Sequence, residues 1–190
     1  MPKNTAIFAS GTGSNAKKII DHSKHREGIN VSLIVTNNPQ AKVLDMAESE
    51  GVPTLVISRK GFYQNEDILK IFNKYSIDYV VLAGFLWLVP TYLVKAYENR
   101  MVNIHPALLP KFGGKGMYGM NVHRAVKNSG EKESGITIHF VNEQYDDGQI
   151  VFQKACALSR DDTPHTIAKK VQQLEHRYFP IIVEKLMHNL

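Results

Sequence analysis

Two rhythms of apolar and polar residues alternate along this chain. Short, nearly continuous apolar runs are separated by stretches in which apolar residues recur at helical spacing. The first run is Ala6-Ile7-Phe8-Ala9, followed by a helical pattern from Asn15 to about Ser23 and a second run, Val31-Ser32-Leu33-Ile34-Val35-Thr36. Such a succession predicts βαβ units in a parallel sheet, whose strands are covered on both faces and so carry few polar positions. The rhythm continues with a helix over Ala41 to Glu50, a strand at Thr54 to Ile57, a helix from about Asn65 to Tyr75 and a strand from Asp78 to Ala83.

A helix over Pro90 to Tyr97 and a short strand, Met101 to His105, lead into a Pro/Gly-rich segment from Pro106 to Gly119. Long loops inside compact domains are usually functional. A helix over Asn121 to Asn128 follows, then two extended runs, Gly135 to Val141 and Gln149 to Ala157, whose short polar connection predicts antiparallel pairing. The last helix runs from Thr163 to about His188, with Thr163 as N-cap and Pro164 at the first helical position. The expected fold is therefore α/β, a single domain over residues 1–190 with a mostly parallel sheet and an antiparallel C-terminal portion.

Composition narrows the function classes. The 190 residues are 43% apolar and 22% charged, values of an ordinary globular domain. The only cysteine is Cys156, so no intramolecular disulfide can form, and no Cys/His cluster has metal spacing. A reducing cytoplasm and a metal-free site are expected. No export signal is visible, and the longest apolar stretch, Tyr79 to Val89, falls short of the roughly 20 residues of a membrane helix. The net charge of +5 suits small anionic ligands. Because Lys and Arg are scattered, neither nucleic acid nor membrane is an expected partner.

Three segments could carry chemistry. Ser10-Gly11-Thr12-Gly13-Ser14-Asn15 stands where the first strand ends and the first helix begins, so its amides can face an anion at a helix N-terminus. Gly11-x-Gly13-x-x-Ala16 also matches a dinucleotide fingerprint, but Thr36-Asn37-Asn38-Pro39 offers no acid for a ribose. The phosphate reading survives that absence, and a purely structural turn is its alternative. Asn103-Ile104-His105-Pro106 ends a strand, and residues two apart share a face, so Asn103 and His105 should project together at the sheet edge. An amide donor stabilises a developing oxyanion and an imidazole moves a proton, although a lone histidine is often structural. Tyr145-Asp146-Asp147-Gly148 has turn composition; in a functional version one carboxylate stands beside His105 and favours its protonated ring. His139 reads as a strand histidine, His123 as a residue within reach of an anion or a solvated cap, and Glu175 as a surface charge by default.

Taken together, Gly11-Thr12-Gly13-Ser14-Asn15, Val81-Leu82-Ala83-Gly84-Phe85, Asn103-Ile104-His105-Pro106-Ala107-Leu108-Leu109-Pro110-Lys111 and the segment Gly135 to Gly148 resemble the folate-dependent formyltransferases, in particular the phosphoribosylglycinamide formyltransferases. The resemblance covers nearly the whole chain. It implies a mononucleotide-binding, Rossmann-like three-layer sandwich and direct formyl transfer from 10-formyltetrahydrofolate, as co-substrate, to 5-phosphoribosylglycinamide. It further implies that His105 donates a proton, Asn103 polarises the formyl oxygen and Asp146 supports His105. Gly13, Ser14, Asn15, Gln172, Gln173 and Glu175 would hold the ribonucleotide. Leu86, Trp87, Leu88, Val89, Asn103 and the turn Asn142, Glu143, Gln144, Tyr145 and Asp146 would hold the folate. The enzyme would be a monomer or a homodimer.

Three features depart from the family pattern: Trp87 stands where many relatives have Arg, Asn65 where some have a cation, and the loop around Lys115 is longer than in shorter relatives. Asn65, Lys115, His123 and His139 are accordingly further candidates for ligand contact. Among rival functions, a formyl-folate hydrolase would add an N-terminal regulatory domain and a methionyl-tRNA formyltransferase a C-terminal tRNA-binding domain, both disfavoured by length. A sugar-nucleotide formyltransferase, a nicotinamide-dependent oxidoreductase and a non-catalytic nucleotide-binding module complete the alternatives.

Overall fold

The computed structural model describes residues 2–188. Its centre is one seven-stranded sheet in the order β3-β2-β1-β4-β5-β6-β7, formed by β1 (Lys3–Phe8), β2 (Ile29–Thr36), β3 (Thr54–Val56), β4 (Tyr79–Leu82), β5 (Met101–His105), β6 (Glu133–Phe140) and β7 (Ile150–Ala157). The first five strands are parallel, and β6 and β7 run antiparallel. Among the described residues seven helices accompany them, six between strands and the last after β7: α1 (Ser14–Ser23), α2 (Val43–Ser49), α3 (Arg59–Gln64), α4 (Asp67–Lys74), α5 (Thr91–Ala96), α6 (Met120–Ser129) and α7 (Pro164–His188).

Alternate residues of each strand face opposite layers. Ile7, Ile34, Val81 and Val102 point toward α1, α6 and α7, where Ile19, Val126 and Phe179 are buried. Phe8, Val35, Val80 and Met101 point the other way, toward Phe62, Phe72 and Leu93 of α3, α4 and α5. The strands β1, β2 and β4 thus bury both faces, which is why they read as unbroken apolar runs.

Helix α3 lies outside the expected pattern, which had a single helix from Asn65. It starts because the Ser58 side chain accepts the Gly61 amide at 3.1 Å, satisfying an otherwise open first-turn donor. It is held because Phe62 packs within 6.3 Å of Phe8 and 5.8 Å of Phe85. Burying such a ring contributes roughly 1.5–3 kcal/mol, a tertiary effect that six residues cannot reveal by periodicity. The cap of α7 is formed as expected: the Thr163 hydroxyl accepts the Thr166 amide at 3.2 Å, and the Thr163 amide donates to the Thr166 hydroxyl at 2.9 Å.

Strand order reverses beside β1, whose neighbours β2 and β4 lead the chain in opposite directions. Open α/β sheets bind ligands at such a point, beyond the carboxyl ends of the strands. The segments following β1, β4 and β5 meet there.

Candidate active site

A cavity of about 800 Å³ opens at those strand ends, within the range of small-molecule sites. One end is built on β1 and α1. Gly13 adopts φ 74°, and a Cβ there would overlap the Val43 side chain of α2, so the tight passage between strand and helix demands glycine. Gly13 also leaves α1 without a side-chain cap, so its first-turn amides remain open to an anion. Across from them, α7 presents His165, Lys169, Gln172 and Glu175 at helical spacing. The Asn15 amide donates to Glu175 Oε2 at 3.0 Å, while Asn15 Oδ1 is enclosed without a partner among the described residues. Burial pushes the Glu175 carboxyl up despite that bond and nearby His105.

Asn103 and His105 share the lower wall, as residues two apart on β5 must. His105 is 3% exposed. Its Nε2 donates to the Phe112 carbonyl at 2.8 Å, and its Nδ1 lies 3.4 Å from Asp146 Oδ2. The same carboxylate oxygen accepts the Gly114 amide at 2.9 Å. Asp146 has φ 53°, a left-handed backbone that Asp tolerates and that aims the carboxylate inward from the turn after β6. Burial pushes this carboxyl up, but the His105 and His139 imidazoles beside it and the Gly114 amide outweigh it and hold Asp146 well below the usual carboxylate range.

His139 is the cross-strand partner of Asn103 in the β5–β6 ladder. Its Nδ1 sits 2.8 Å from the Phe140 carbonyl and must donate there, so in the neutral ring Nε2 accepts from the Asn103 amide at 3.1 Å, with Asp146 Oδ1 3.7 Å away. That bond fixes which way the Asn103 amide points. Its second hydrogen faces Asp146 Oδ1 at 3.4 Å, a long contact that an entering oxygen can displace.

The other end of the cavity is apolar and aromatic. Leu86, Trp87, Leu88 and Val89 line it, opposed by Asn142, Gln144 and Tyr145. This wall is held by main-chain bonds: the Leu86 amide donates to the Ser10 hydroxyl at 3.1 Å, and the Tyr63 hydroxyl donates to the Leu88 carbonyl at 2.8 Å. Trp87 packs beside Tyr63 with the Arg59 guanidinium 5.7 Å from its ring centre, so α3 buttresses the wall.

Of the expected site residues, Gly13, Ser14, Asn15, Gln172, Glu175, Lys115, His123 and His139 all line the cavity. Three do not. Gln173 is exposed on α7, one residue and some 100° beyond the inward stripe. Glu143 is exposed at the outer edge of its turn, and Asn65 ends α3, where its Oδ1 accepts the Asp67 amide at 3.3 Å. Lys169 and His165 were missed; they lie three and seven positions before Gln172 and were legible by extending that helix face backwards. Among the described residues, no group of three or more His, Cys, Asp or Glu side chains is placed to hold a metal, and no helix is long and apolar enough to cross a membrane.

The arrangement joins an anion seat, a proton-transfer cluster and an apolar slot in one cavity, which suits group transfer between two ligands. The sequence pattern of the formyl transferase family matches residues 3–183. The chain is 43% identical to a phosphoribosylglycinamide formyltransferase, named as chloroplastic, of Arabidopsis thaliana over 95% of its own length, and spans 64% of that relative. It is 34% identical to the Bacillus subtilis phosphoribosylglycinamide formyltransferase, with 97% of this chain and 95% of that one aligned. The crystal structure of the enzyme of that name from Bacillus halodurans superposes with a TM-score of 0.87 at 36% identity, covering 97% and 95% of the two chains. The chain belongs to the formyl transferase family, alongside the phosphoribosylglycinamide formyltransferases.

Proposed function

We propose that the chain, acting as one unit over residues 1–190, transfers a formyl group from 10-formyltetrahydrofolate to the amine of 5-phosphoribosylglycinamide in purine biosynthesis. The observation that carries this reading is the meeting of Asn103, His105 and Asp146 on the wall between the anion seat and the apolar slot. The ribonucleotide phosphate occupies the amides of Gly13, Ser14 and Asn15, with Lys169 as the nearby cation, and Gln172 and Glu175 face the sugar. The folate ring fits between Leu86–Val89 and Asn142–Asp146, where the Leu86 carbonyl and the Leu88 amide remain for main-chain contacts, the Leu86 amide and Leu88 carbonyl being engaged already.

The amine nitrogen bonds to the formyl carbon, the bond from that carbon to folate N10 breaks, and the proton lost by the amine ends on N10. Negative charge gathers on the formyl oxygen, where the Asn103 amide donates. His105 and Asp146 together hold and pass the proton, Nδ1 being the ring nitrogen that faces the carboxylate. The single cysteine suits a reducing compartment, for which we propose the cytoplasm. The Arabidopsis relative is named as chloroplastic, so compartments differ within the family.

The test is a spectrophotometric assay of deformylated folate with glycinamide ribonucleotide present and absent. Turnover that depends on the amine supports the reading. Folate loss without the amine would identify a hydrolase, and turnover only with an amino-sugar nucleotide would identify a different acceptor.

A further inference from the structure

His123 stands four residues into α6, just past the glycine-rich loop, and is 6% exposed. It lines the cavity together with the anion loop and Glu175. Its Nδ1 is fully enclosed and has no hydrogen-bond partner among the described residues. The only other such orphan among the cavity-lining residues is Asn15 Oδ1, whose amide nitrogen is tied to Glu175. Buried N–H groups in folded proteins almost always find acceptors, so an enclosed ring nitrogen without one is best read as a bare lone pair.

Burial first, and then the neighbouring His105, lower the His123 pKa to about 4, so the ring is neutral near pH 7. A neutral imidazole carries one hydrogen. An enclosed N–H without a partner is rarer and costlier than an enclosed lone pair, so the hydrogen belongs on Nε2, the ring nitrogen that is not enclosed in this cavity-lining residue. His123 therefore offers an uncharged donor in the cavity shared by the anion seat and the reacting cluster, close enough to His105 to sense its charge.

We infer that His123 is a specificity-determining residue for the acceptor substrate, donating from Nε2 to the amide carbonyl of the glycinamide and so setting the terminal amine against Asn103 and His105. This rests on the formyl-transfer reading above. Being neutral, the ring does not repel the incoming amine, as a lysine at this position would. It also distinguishes an amide-linked acceptor from one with no oxygen at this point.

The experiment is a steady-state comparison of wild type, His123→Leu and His123→Gln, varying each substrate in turn. His123→Leu is expected to raise KM for glycinamide ribonucleotide tenfold or more, with KM for 10-formyltetrahydrofolate unchanged and the melting temperature not lowered. His123→Gln places an amide N–H near the position of Nε2 and should recover most of the loss. Equal damage to both substrates, no change in the ribonucleotide KM, or no recovery in the Gln variant would overturn the inference. Absence of wild-type turnover with glycinamide ribonucleotide would overturn the formyl-transfer reading and this inference with it, whereas active wild type beside an unimpaired Leu variant would overturn this inference alone.

Discussion

His105 meets Asp146 through Nδ1, not Nε2: the Nε2 hydrogen is taken by the Phe112 carbonyl at 2.8 Å, and Nδ1 lies 3.4 Å from Asp146 Oδ2. The carbonyl fixes the ring plane, so the proton that comes and goes does so on the side of the carboxylate. The Gly114 amide holds the same oxygen, which ties the glycine-rich loop to the reacting cluster.

Asp146→Asn keeps the size of the side chain and removes its charge. We expect kcat to fall by roughly 10²–10⁴-fold, the usual contribution of a positioned acid–base group, with circular dichroism unchanged. The stability difference from wild type has a definite sign. Because the folded carboxyl is held below its ordinary value of 3.8, it contributes stability above that value and loses it as pH falls further. Urea denaturation should therefore show a constant gap between the two proteins from pH 7 down to about 4, narrowing only below. A gap that closes between pH 6 and 5 would place the titration elsewhere.

His123 works in the opposite direction. Its pKa, lowered from 6.5 to about 4, means the unfolded chain takes up a proton first, so stability is complete above 6.5 and falls as pH drops toward 4. At 1.36 kcal/mol per pKa unit, wild type should lose about 2 kcal/mol between pH 7.5 and 5 through this residue. His123→Leu should escape that part of the acid loss. Parallel pH profiles for the two proteins, read from urea midpoints, would refute the assignment.

Gly148 shows why the turn after β6 carries function. A Cβ on it would overlap the Phe140 carbonyl, the group that accepts from His139 Nδ1 and thereby sets Asn103. Gly148→Ala should cost about 1–3 kcal/mol through overpacking, measured by denaturant midpoint. It should also lower kcat more than either KM, because the displaced carbonyl disturbs the donor to the formyl oxygen. Loss of stability with kcat intact would separate the turn from the chemistry.

The parallel strands β1, β2 and β4 were legible because each buries both faces, and the anion loop because Gly11 and Gly13 stand at a strand–helix junction. Asn103 and His105 were paired by strand alternation alone. The ties to Asp146 and His139 depend on register: β6 sets His139 opposite Asn103, and a left-handed residue at 146 turns the carboxylate inward. Neither pairing follows from spacing across some 40 residues of chain. Helix α3 was hidden for a related reason, since Phe62 finds its partners on strands and loops far along the chain. Glu143 and Gln173 illustrate the converse: one position along a turn or helix moves a side chain from the cavity to solvent.

Glu175 gives the last expectation. Burial raises its carboxyl above the ordinary 4.5, against the Asn15 amide and nearby His105, so the folded state resists its ionisation. The unfolded chain ionises first as pH rises, and stability is lost through the window from 4.5 up to the raised folded value. Glu175→Gln removes that loss while keeping an oxygen for Asn15, so its melting temperature should exceed that of wild type at pH 8 and match it at pH 4. The same change removes a charge-capable acceptor from the ribonucleotide end of the cavity, and we expect roughly tenfold weaker capture of that substrate, seen in kcat/KM, with folate KM unaltered. A variant less stable at pH 8 would mean that the carboxylate is solvated and ionised in the native fold, and that its bond with Asn15 stabilises the protein as a charge.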